Sequence, residues 1–221
     1  HAQRYARAHE YVKIVKGLWD TWEDDAFIHD KAANRFFDTS KLHRVAHQGE
    51  HFTVHGGLQT PRAPQGYPVL VQAGSSEDGQ DLAAATAEVV FTAQQTLSQA
   101  QAFYKSLKGR LAAHGRRPEG LKILPGISTF VGRSEQEARE KFEQLQSLID
   151  PVLGLGLLST FLGNVDLSAY PIDGPFPQDL PVTEGWKSRQ ELFANLARRE
   201  NLSIRQLYER VAGARGHWTV V

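Results

Sequence analysis

The sequence predicts an α/β fold in which strands and helices alternate along the chain. Residues 69–71 are a short aliphatic run, typical of a strand buried on both faces. The loop "AGSSEDG" follows this run, and an alanine-rich stretch after Gly79 predicts a helix that leads to a second apolar strand at 89–92. This order of elements is a βαβ unit, and the alternation continues from 67 to 150. We therefore expect a parallel sheet, either open or closed into a barrel.

The residues before this unit predict a helix followed by a β-hairpin. Apolar residues recur every three or four positions from Tyr5 to Trp22, which indicates one stripe of an amphipathic helix. The acidic run at 23–25 is expected to end that helix. In "KLHRVAHQGEHFTVHGG", two partly alternating runs flank Gly49, which is typical of a hairpin.

Four histidines recur at intervals of four residues in this region. On a helix they would line up as metal ligands, but the predicted hairpin favours polar positions on strands. We therefore predict no metal site for this set, which comprises His43, His47, His51 and His55.

The residues after the βαβ unit continue the alternation. A helix is predicted over 97–114, with Gly115 as its end. An apolar strand follows this helix, and Pro125 and Gly126 interrupt that strand. Ser134 with Glu137 forms a capping box ahead of another helix.

The composition changes at Pro151. Residues 151–187 are rich in glycine and proline, so we predict an insertion loop that shapes a substrate pocket. Two further capping boxes, Ser188 with Glu191 and Ser203 with Gln206, predict two short helices near the end of the chain.

The overall composition excludes several classes of protein. Lysine plus arginine and aspartate plus glutamate are equal at 25 each, so no net charge favours nucleic acid or an anionic membrane. The absence of cysteine excludes disulfides, thiolate metal sites and a cysteine nucleophile. No apolar run is long enough to cross a bilayer, and the first residues lack the apolar core of a signal peptide, so a cytoplasmic protein is expected.

The loop after the first apolar strand is the main candidate for ligand binding. Gly74 and Gly79 permit tight turns, while Ser75 and Ser76 place hydroxyls and amides at the carboxyl end of a strand, where α/β proteins bind ligands. Amides converging at a helix N-terminus favour a phosphate. The loop has no lysine and matches neither the P-loop nor the dinucleotide fingerprint, so a turn that serves only the fold is an equally open interpretation.

Three segments together resemble one family. They are "RYARAHEYVKIVKGLWDTWEDDAF", "HQGEHFTVHGGLQTPRAPQGYPVLVQAGSSEDGQDLAAATAEVVFT" and "GHWTVV". They are similar to the luciferase-like flavin monooxygenases, in the branch of the nitrilotriacetate, EDTA and dibenzothiophene-sulfone monooxygenases. The resemblance covers nearly the whole chain, and "QAGSSEDG" is its most specific part.

The resemblance implies a fold and a reaction. It implies a (β/α)8 TIM barrel with an insertion, of which 1–221 would be the middle part, because such proteins are about twice as long, and it implies a homo-oligomer. It also implies a two-component monooxygenase: a separate NADH-dependent reductase supplies reduced FMN, and the monooxygenase uses it with dioxygen to oxygenate a small organic substrate.

The resemblance also implies site residues. Gly74, Ser75, Ser76 and the hydroxyl of Tyr5 would hold the FMN phosphate. The substrate pocket would include residues of the insertion, for which the candidates are Ser159, Phe161 and Asp166. The insertion is mostly apolar, with three aspartates, which favours an apolar substrate over a polyanionic one.

Two other functions remain open at this stage. One is a deazaflavin-dependent oxidoreductase of the same superfamily, and the other is a truncated chain that binds flavin without turnover. Oxygen consumption linked to a flavin reductase would separate the first of these from a monooxygenase.

Overall fold

The computed structural model describes residues 2–181, 183, 187–214 and 217–221. Two compact units make up the chain. Unit 1 comprises His1–Val90 and Leu107–Lys122, and unit 2 comprises Phe91–Ser106 and Ile123–Val221. In the described part of the chain, no helix is both long and apolar enough to cross a membrane.

Unit 1 contains a long helix, a hairpin and the start of the parallel sheet. Its elements are α1 (Ala2–Trp19), β1 (Val45–Gln48), β2 (Thr53–Gly56), β3 (Val71–Gln72) and α2 (Glu77–Thr86). β1 and β2 pair antiparallel, with His47 opposite Val54, which confirms the predicted hairpin around Gly49. Helix α1 is shorter than its apolar stripe predicts, because Trp22 leaves the helix, pairs with Leu42 and donates its indole N–H to the carbonyl of Leu58 at 2.7 Å.

Two further strands, β4 (Val89–Thr92) and β5 (Lys122–Pro125), join β3 in a sheet with the order β3, β4, β5. β3 pairs with β4 in parallel register, as predicted. The predicted burial of the first strand on both faces is wrong, since Val69 and Val71 are 55% and 63% exposed. β3 lies at one end of this sheet and pairs with only one strand among the described residues.

Between β4 and β5 the chain forms α3 (Leu97–Arg110), which a short 3-10 turn extends to His114. Gly115 follows with a φ of 65°, so it ends the helix in the left-handed conformation that glycine adopts without strain. This agrees with the predicted stop.

Among the described residues, unit 2 further contains two strands and four helices. They are β6 (Ile127–Thr129), α4 (Glu135–Ser147), α5 (Pro151–Phe161), α6 (Lys187–Glu200), α7 (Ile204–Ala214) and β7 (Trp218–Val220). β6 and β7 pair in parallel. Two of the three predicted capping boxes cap helices, because Ser134 Oγ accepts from the Glu137 amide and Ser203 Oγ accepts from the Gln206 amide, each at 3.2 Å. The prediction for Ser188 is wrong, since α6 begins one residue earlier, at Lys187.

The predicted insertion loop is wrong for its first third. Residues 151–161 form helix α5, because Asp150 caps it by accepting from the amides of Val152 and Leu153, and Pro151 suits the first helical position. Gly154 is required there, since a Cβ would lie 2.9 Å from Cε2 of the buried Tyr208 on α7. Within the rest of the predicted insertion, residues 182 and 184–186 lie outside the described residues.

The core of unit 2 is built by α5, α6 and α7. Leu158, Phe193, Leu207 and Tyr208 are nearly completely buried in it. This packing accounts for the helical conformation of an apolar segment whose glycines and prolines predict a loop.

Candidate functional site

The small-residue loop lies at the N-terminus of α2, in unit 1. The helix begins at Glu77, earlier than the sequence predicts, because Ser76 is its N-cap. The hydroxyl oxygen of Ser76 accepts from the amide of Gly79 at 3.2 Å. A serine at this position offers the helix start one side-chain acceptor, while its hydroxyl hydrogen can still be donated to a ligand.

The hydroxyl of Tyr5 from α1 lies over this loop. A Cβ on Gly74 or on Gly79 would come 2.8 Å from Tyr5 Oη, and a Cβ on Gly79 would also come 3.1 Å from the Cα of Gly74. Neither glycine has a positive φ, so glycine is needed here for space and not for an unusual backbone conformation. The structure thus brings Tyr5, Gly74, Ser75 and Ser76 together.

Two glutamines hold the loop in shape. Gln72 accepts from the Gly74 amide at 2.7 Å and donates to the carbonyl of Gly79 at 3.2 Å. Gln80, which is 8% exposed, donates to the carbonyl of Ser75 at 2.9 Å. Sequence reasoning missed both, although an amide on each side of "AGSSEDG" is a recognisable signal for a loop held by side chains.

These groups fit a phosphate. The helix N-terminus carries a partial positive charge, and the hydroxyls of Ser75, Ser76 and Tyr5 are of the type that donates to anionic oxygens. Two acidic residues, Glu77 and Asp78, lie in the first turn of α2 and oppose an anion there. Residues 73–79 contain no lysine or arginine, so the groups that this loop offers to an anion are amides and hydroxyls.

A carboxylate from α1 organises the tip of the hairpin in the same unit. Glu10 Oε1 lies 2.8 Å from His47 Nε2, and the Glu10 carboxylate accepts from the amides of His51 and Phe52 at 2.9 and 3.0 Å. The hydrogen bond with His47 is the largest factor that holds the pKa of Glu10 below its usual range, and the two amides add to it. Two of the four regularly spaced histidines thus have acidic partners, since His43 likewise pairs with Glu23 at 2.7 Å.

No metal position emerges from these contacts. Within the described ranges, no group of three His, Cys, Asp or Glu side chains could hold a metal ion.

The three candidates for the substrate pocket lie in unit 2 and have structural partners. Ser159 donates to the carbonyl of Val165 at 2.7 Å. Phe161 is 8% exposed in the core, where its ring centroid lies 5.6 Å from that of Phe193. Asp166 is exposed, and hydrogen bonds from Ser168 hold the pKa of its carboxyl below the usual range.

A separate cleft of about 380 Å³ also lies in unit 2. Residues of β4, β5 and α3 line it, and it contains none of the residues predicted to bind substrate. Its lining comprises Thr92, Ala100, Gln101, Tyr104, Ile123 and Pro125.

Parallel strands joined by helices, with a phosphate-type loop at a strand end, define a class of α/β ligand-binding proteins. Comparison with known proteins narrows that class. The family model for luciferase-like monooxygenases matches residues 1–210. The chain belongs to this family, which confirms the resemblance drawn from its sequence.

Several characterised relatives align along the whole chain. Nitrilotriacetate monooxygenase component A of Aminobacter aminovorans is 54% identical over 220 residues, which are 100% of this chain and 49% of the relative. N-acetyl-S-(2-succino)cysteine monooxygenase of Bacillus subtilis (strain 168) is 52% identical, over 98% of this chain and 49% of the relative. The chain thus spans about half the length of the curated relatives it matches.

Solved structures support the fold. DmoA from Hyphomicrobium sulfonivorans superposes with a TM-score of 0.82 at 31% identity, over 100% of this chain and 46% of DmoA. The long-chain alkane monooxygenase LadA superposes with a TM-score of 0.75 at 29% identity, over 100% of this chain and 52% of LadA. The chain is therefore part of a luciferase-like TIM barrel, as the resemblance implies.

One neighbour was solved with flavins. Riboflavin lyase RcaE, whose structure contains modified FMN and riboflavin, superposes with a TM-score of 0.81 at 27% identity, over 96% of this chain and 46% of RcaE.

Proposed function

We propose that this chain forms the phosphate-binding part of a two-component, FMN-dependent monooxygenase. The observation that carries the proposal is the position of the Tyr5 hydroxyl at the N-terminus of α2. It lies so close to Gly74 and Gly79 that a Cβ on either residue would come 2.8 Å from Tyr5 Oη. Family membership supplies the chemistry: reduced flavin, when bound, reacts with dioxygen so that one oxygen atom passes to an organic substrate.

Each residue of the loop has a distinct task in this proposal. Ser75, Ser76 and Tyr5 donate hydroxyl hydrogens to phosphate oxygens, and the amides at the start of α2 complete the site. The Gly74 amide already donates to the side chain of Gln72, so Gly74 contributes space for the phosphate and not a hydrogen bond to it. The phosphate oxygens of FMN accept hydrogen bonds from these donors. Riboflavin has no phosphate and leaves the donors to water, so the loop favours FMN over riboflavin.

We further propose the partners that this reaction requires. A separate NADH-dependent reductase supplies the reduced FMN, the monooxygenase forms a homo-oligomer, and the system operates in the cytoplasm. A relative named as component A supports the division of labour between two proteins.

For the substrate we propose a small organic acid. Nitrilotriacetate and N-acetyl-S-(2-succino)cysteine, which give their names to relatives more than 50% identical to this chain, are organic acids. In unit 2, the guanidinium of Arg189 lies 5.6 Å from the ring centroid of Phe161, so one candidate pocket residue has a cation beside it. We therefore propose an organic acid in place of the apolar substrate that the composition of the insertion favours. Composition does not reveal the contact between Arg189 and Phe161.

The phosphate site is tested by anaerobic titration with reduced FMN and reduced riboflavin. We expect FMN to bind at least about tenfold more tightly, a difference of about 1.4 kcal/mol. Ser76→Ala should reduce this ratio. Ser134→Ala is the matched control, because both serines are N-caps that accept an amide at 3.2 Å and both variants lose a similar capping energy of about 1 kcal/mol.

The outcomes separate the proposal from its alternatives. Equal affinities for FMN and riboflavin in the unmutated chain would refute the phosphate site. A deazaflavin-dependent enzyme predicts no substrate-linked oxygen uptake when NADH and a flavin reductase are added. A truncated flavin-binding chain predicts the FMN preference without that uptake.

The substrate class is tested separately by calorimetric titration with nitrilotriacetate. We expect Arg189→Gln to weaken binding. Arg198→Gln on the same helix, whose guanidinium bonds the carbonyl of Gln178, should leave it unchanged. Equal binding by the two variants would contradict the role of Arg189, and absence of binding by the unmutated chain would contradict the proposed substrate class.

A further inference from the structure

A carboxylate on α2 lies between two histidines, in the second turn of the helix and outside the phosphate loop. Asp81 Oδ2 lies 3.6 Å from His9 Nε2 on α1, and Asp81 Oδ1 lies 3.1 Å from His114 Nε2 in the turn after α3. The side chains are partly exposed, at 36% for His9, 47% for Asp81 and 27% for His114. All three belong to unit 1, as does the loop.

The spacing along both helices connects this cluster to the candidate site. His9 follows Tyr5 by four residues, so both project from one face of α1. Asp81 follows Ser76 by five residues, which corresponds to about 7.5 Å along the axis of α2. The same two helices therefore meet twice, at Tyr5 over the loop and at His9 beside Asp81.

The surface of α2 explains why a second connection matters. The buried residues of α2 are Gly79, Gln80, Leu82, Ala83 and Ala84, and three of these five have little or no side chain to interlock with a neighbouring helix. The distance of Tyr5 from the loop depends on how α1 lies against this surface. The contact between His9 and Asp81, one turn along α1 from Tyr5, restricts that placement.

We propose that Asp81, held by His9 and His114, is a positioning residue that keeps the Tyr5 hydroxyl at the phosphate loop and thereby sets the preference for a phosphorylated flavin. This inference rests on the proposed function. Asp81 itself does not touch the phosphate; it acts through α1.

The sign of the effect distinguishes positioning from simple electrostatics. Asp81→Asn removes a negative charge near the loop, and by Coulomb's law alone the variant would bind the FMN phosphate more tightly. Positioning predicts the opposite, because Tyr5 would no longer be held in place.

The test is a double-mutant cycle of Asp81→Asn with Tyr5→Phe, measured as the ratio of reduced riboflavin to reduced FMN dissociation constants. We expect Asp81→Asn to lower this ratio about fivefold, the size expected when about one hydrogen bond is lost. In the Tyr5→Phe background it should cause no further loss. Tyr11→Phe on the same helix and Glu119→Gln in the same unit are the matched controls, and both should leave the ratio unchanged.

Two results would overturn the positioning role of Asp81, and one would overturn the proposed function on which that role rests. An unchanged or increased ratio in Asp81→Asn, or full additivity with Tyr5→Phe, removes the positioning role and leaves the phosphate site intact. An unchanged ratio in Tyr5→Phe removes the proposed function itself. If Asp81→Asn does not fold, His9→Gln keeps the pair between Asp81 and His114 and should lower the ratio in the same direction by a smaller factor.

Discussion

Replacement of Gly79 by alanine tests the close approach on which the candidate site depends. The Cβ would lie 2.8 Å from Tyr5 Oη and 3.1 Å from the Cα and carbonyl carbon of Gly74. The tyrosine hydroxyl is the end of a long side chain and can move, but the Gly74 backbone is held by its bond to Gln72. We therefore expect Tyr5 to be displaced from the loop.

The magnitude follows from two opposing effects. Alanine is favoured over glycine by about 1 kcal/mol in the interior of a helix. Overpacking a close contact costs about 1–3 kcal/mol. Gly79→Ala should therefore be neutral or destabilising by up to about 2 kcal/mol, and this should lower the melting temperature by a few degrees for a chain of this size.

Gly109→Ala is the matched control. Gly109 lies in α3, also in unit 1, and a Cβ there would meet no atom within 4 Å. This variant should gain the full helix-propensity term of about 1 kcal/mol. Thermal unfolding of both variants and titration with reduced FMN and riboflavin give the two measurements.

The two variants should differ in both measurements. Gly79→Ala should lose most of the preference for FMN, whereas Gly109→Ala should keep it. Equal stabilisation by the two substitutions, together with an unchanged FMN preference in Gly79→Ala, would refute the close contact between Tyr5 and the loop.

Two further predictions concern the packing of α5 and the tip of the hairpin. Gly154→Ala should destabilise the protein by about 1–3 kcal/mol, because its Cβ would press on the buried ring of Tyr208. Gly156→Ala should stabilise the protein by up to about 1 kcal/mol, because a Cβ there meets no atom within 4 Å. Urea unfolding measures the stability of both variants, and equal effects would contradict the packing of Tyr208 against Gly154. Glu10→Gln should lower the melting temperature at neutral pH. The folded-state pKa of Glu10 lies below its usual value of 4.5, so its contribution is present above that pH and is lost as the pH falls below it. Melting curves of both proteins between pH 7 and 3 should converge toward low pH, and a constant gap would show that the ionised carboxylate is not responsible.

Local sequence signals predicted the elements that depend on neighbouring residues. The hairpin around Gly49, strand Val89–Thr92, the helical stop at Gly115 and the caps at Ser134 and Ser203 are all present. Each depends on contacts within a few residues, where backbone propensity and capping chemistry decide the outcome. The family resemblance likewise required only the order of residues.

Sequence patterns failed where distant packing decides. Residues 151–161 contain two glycines and a leading proline, yet they form a helix because Asp150 caps it and Tyr208 packs against Gly154. Trp22 continues the apolar stripe of α1, yet it leaves the helix to bond Leu58, which is 36 residues away. Neither the contact of Tyr208 with Gly154 nor that of Leu58 with Trp22 can be located from hydrophobic periodicity or composition.

The amino-acid sequence alone determined the α/β class, the family and the small-residue loop, because these follow from local propensity and from a distinctive run of residues. Only the tertiary structure decided which side chains meet at that loop. Tyr5 comes from a helix about 70 residues before Gly74, and the histidines beside Asp81 come from two other elements. Such contacts depend on how the helices pack, and the free energy of packing is a property of the whole fold and not of any short segment.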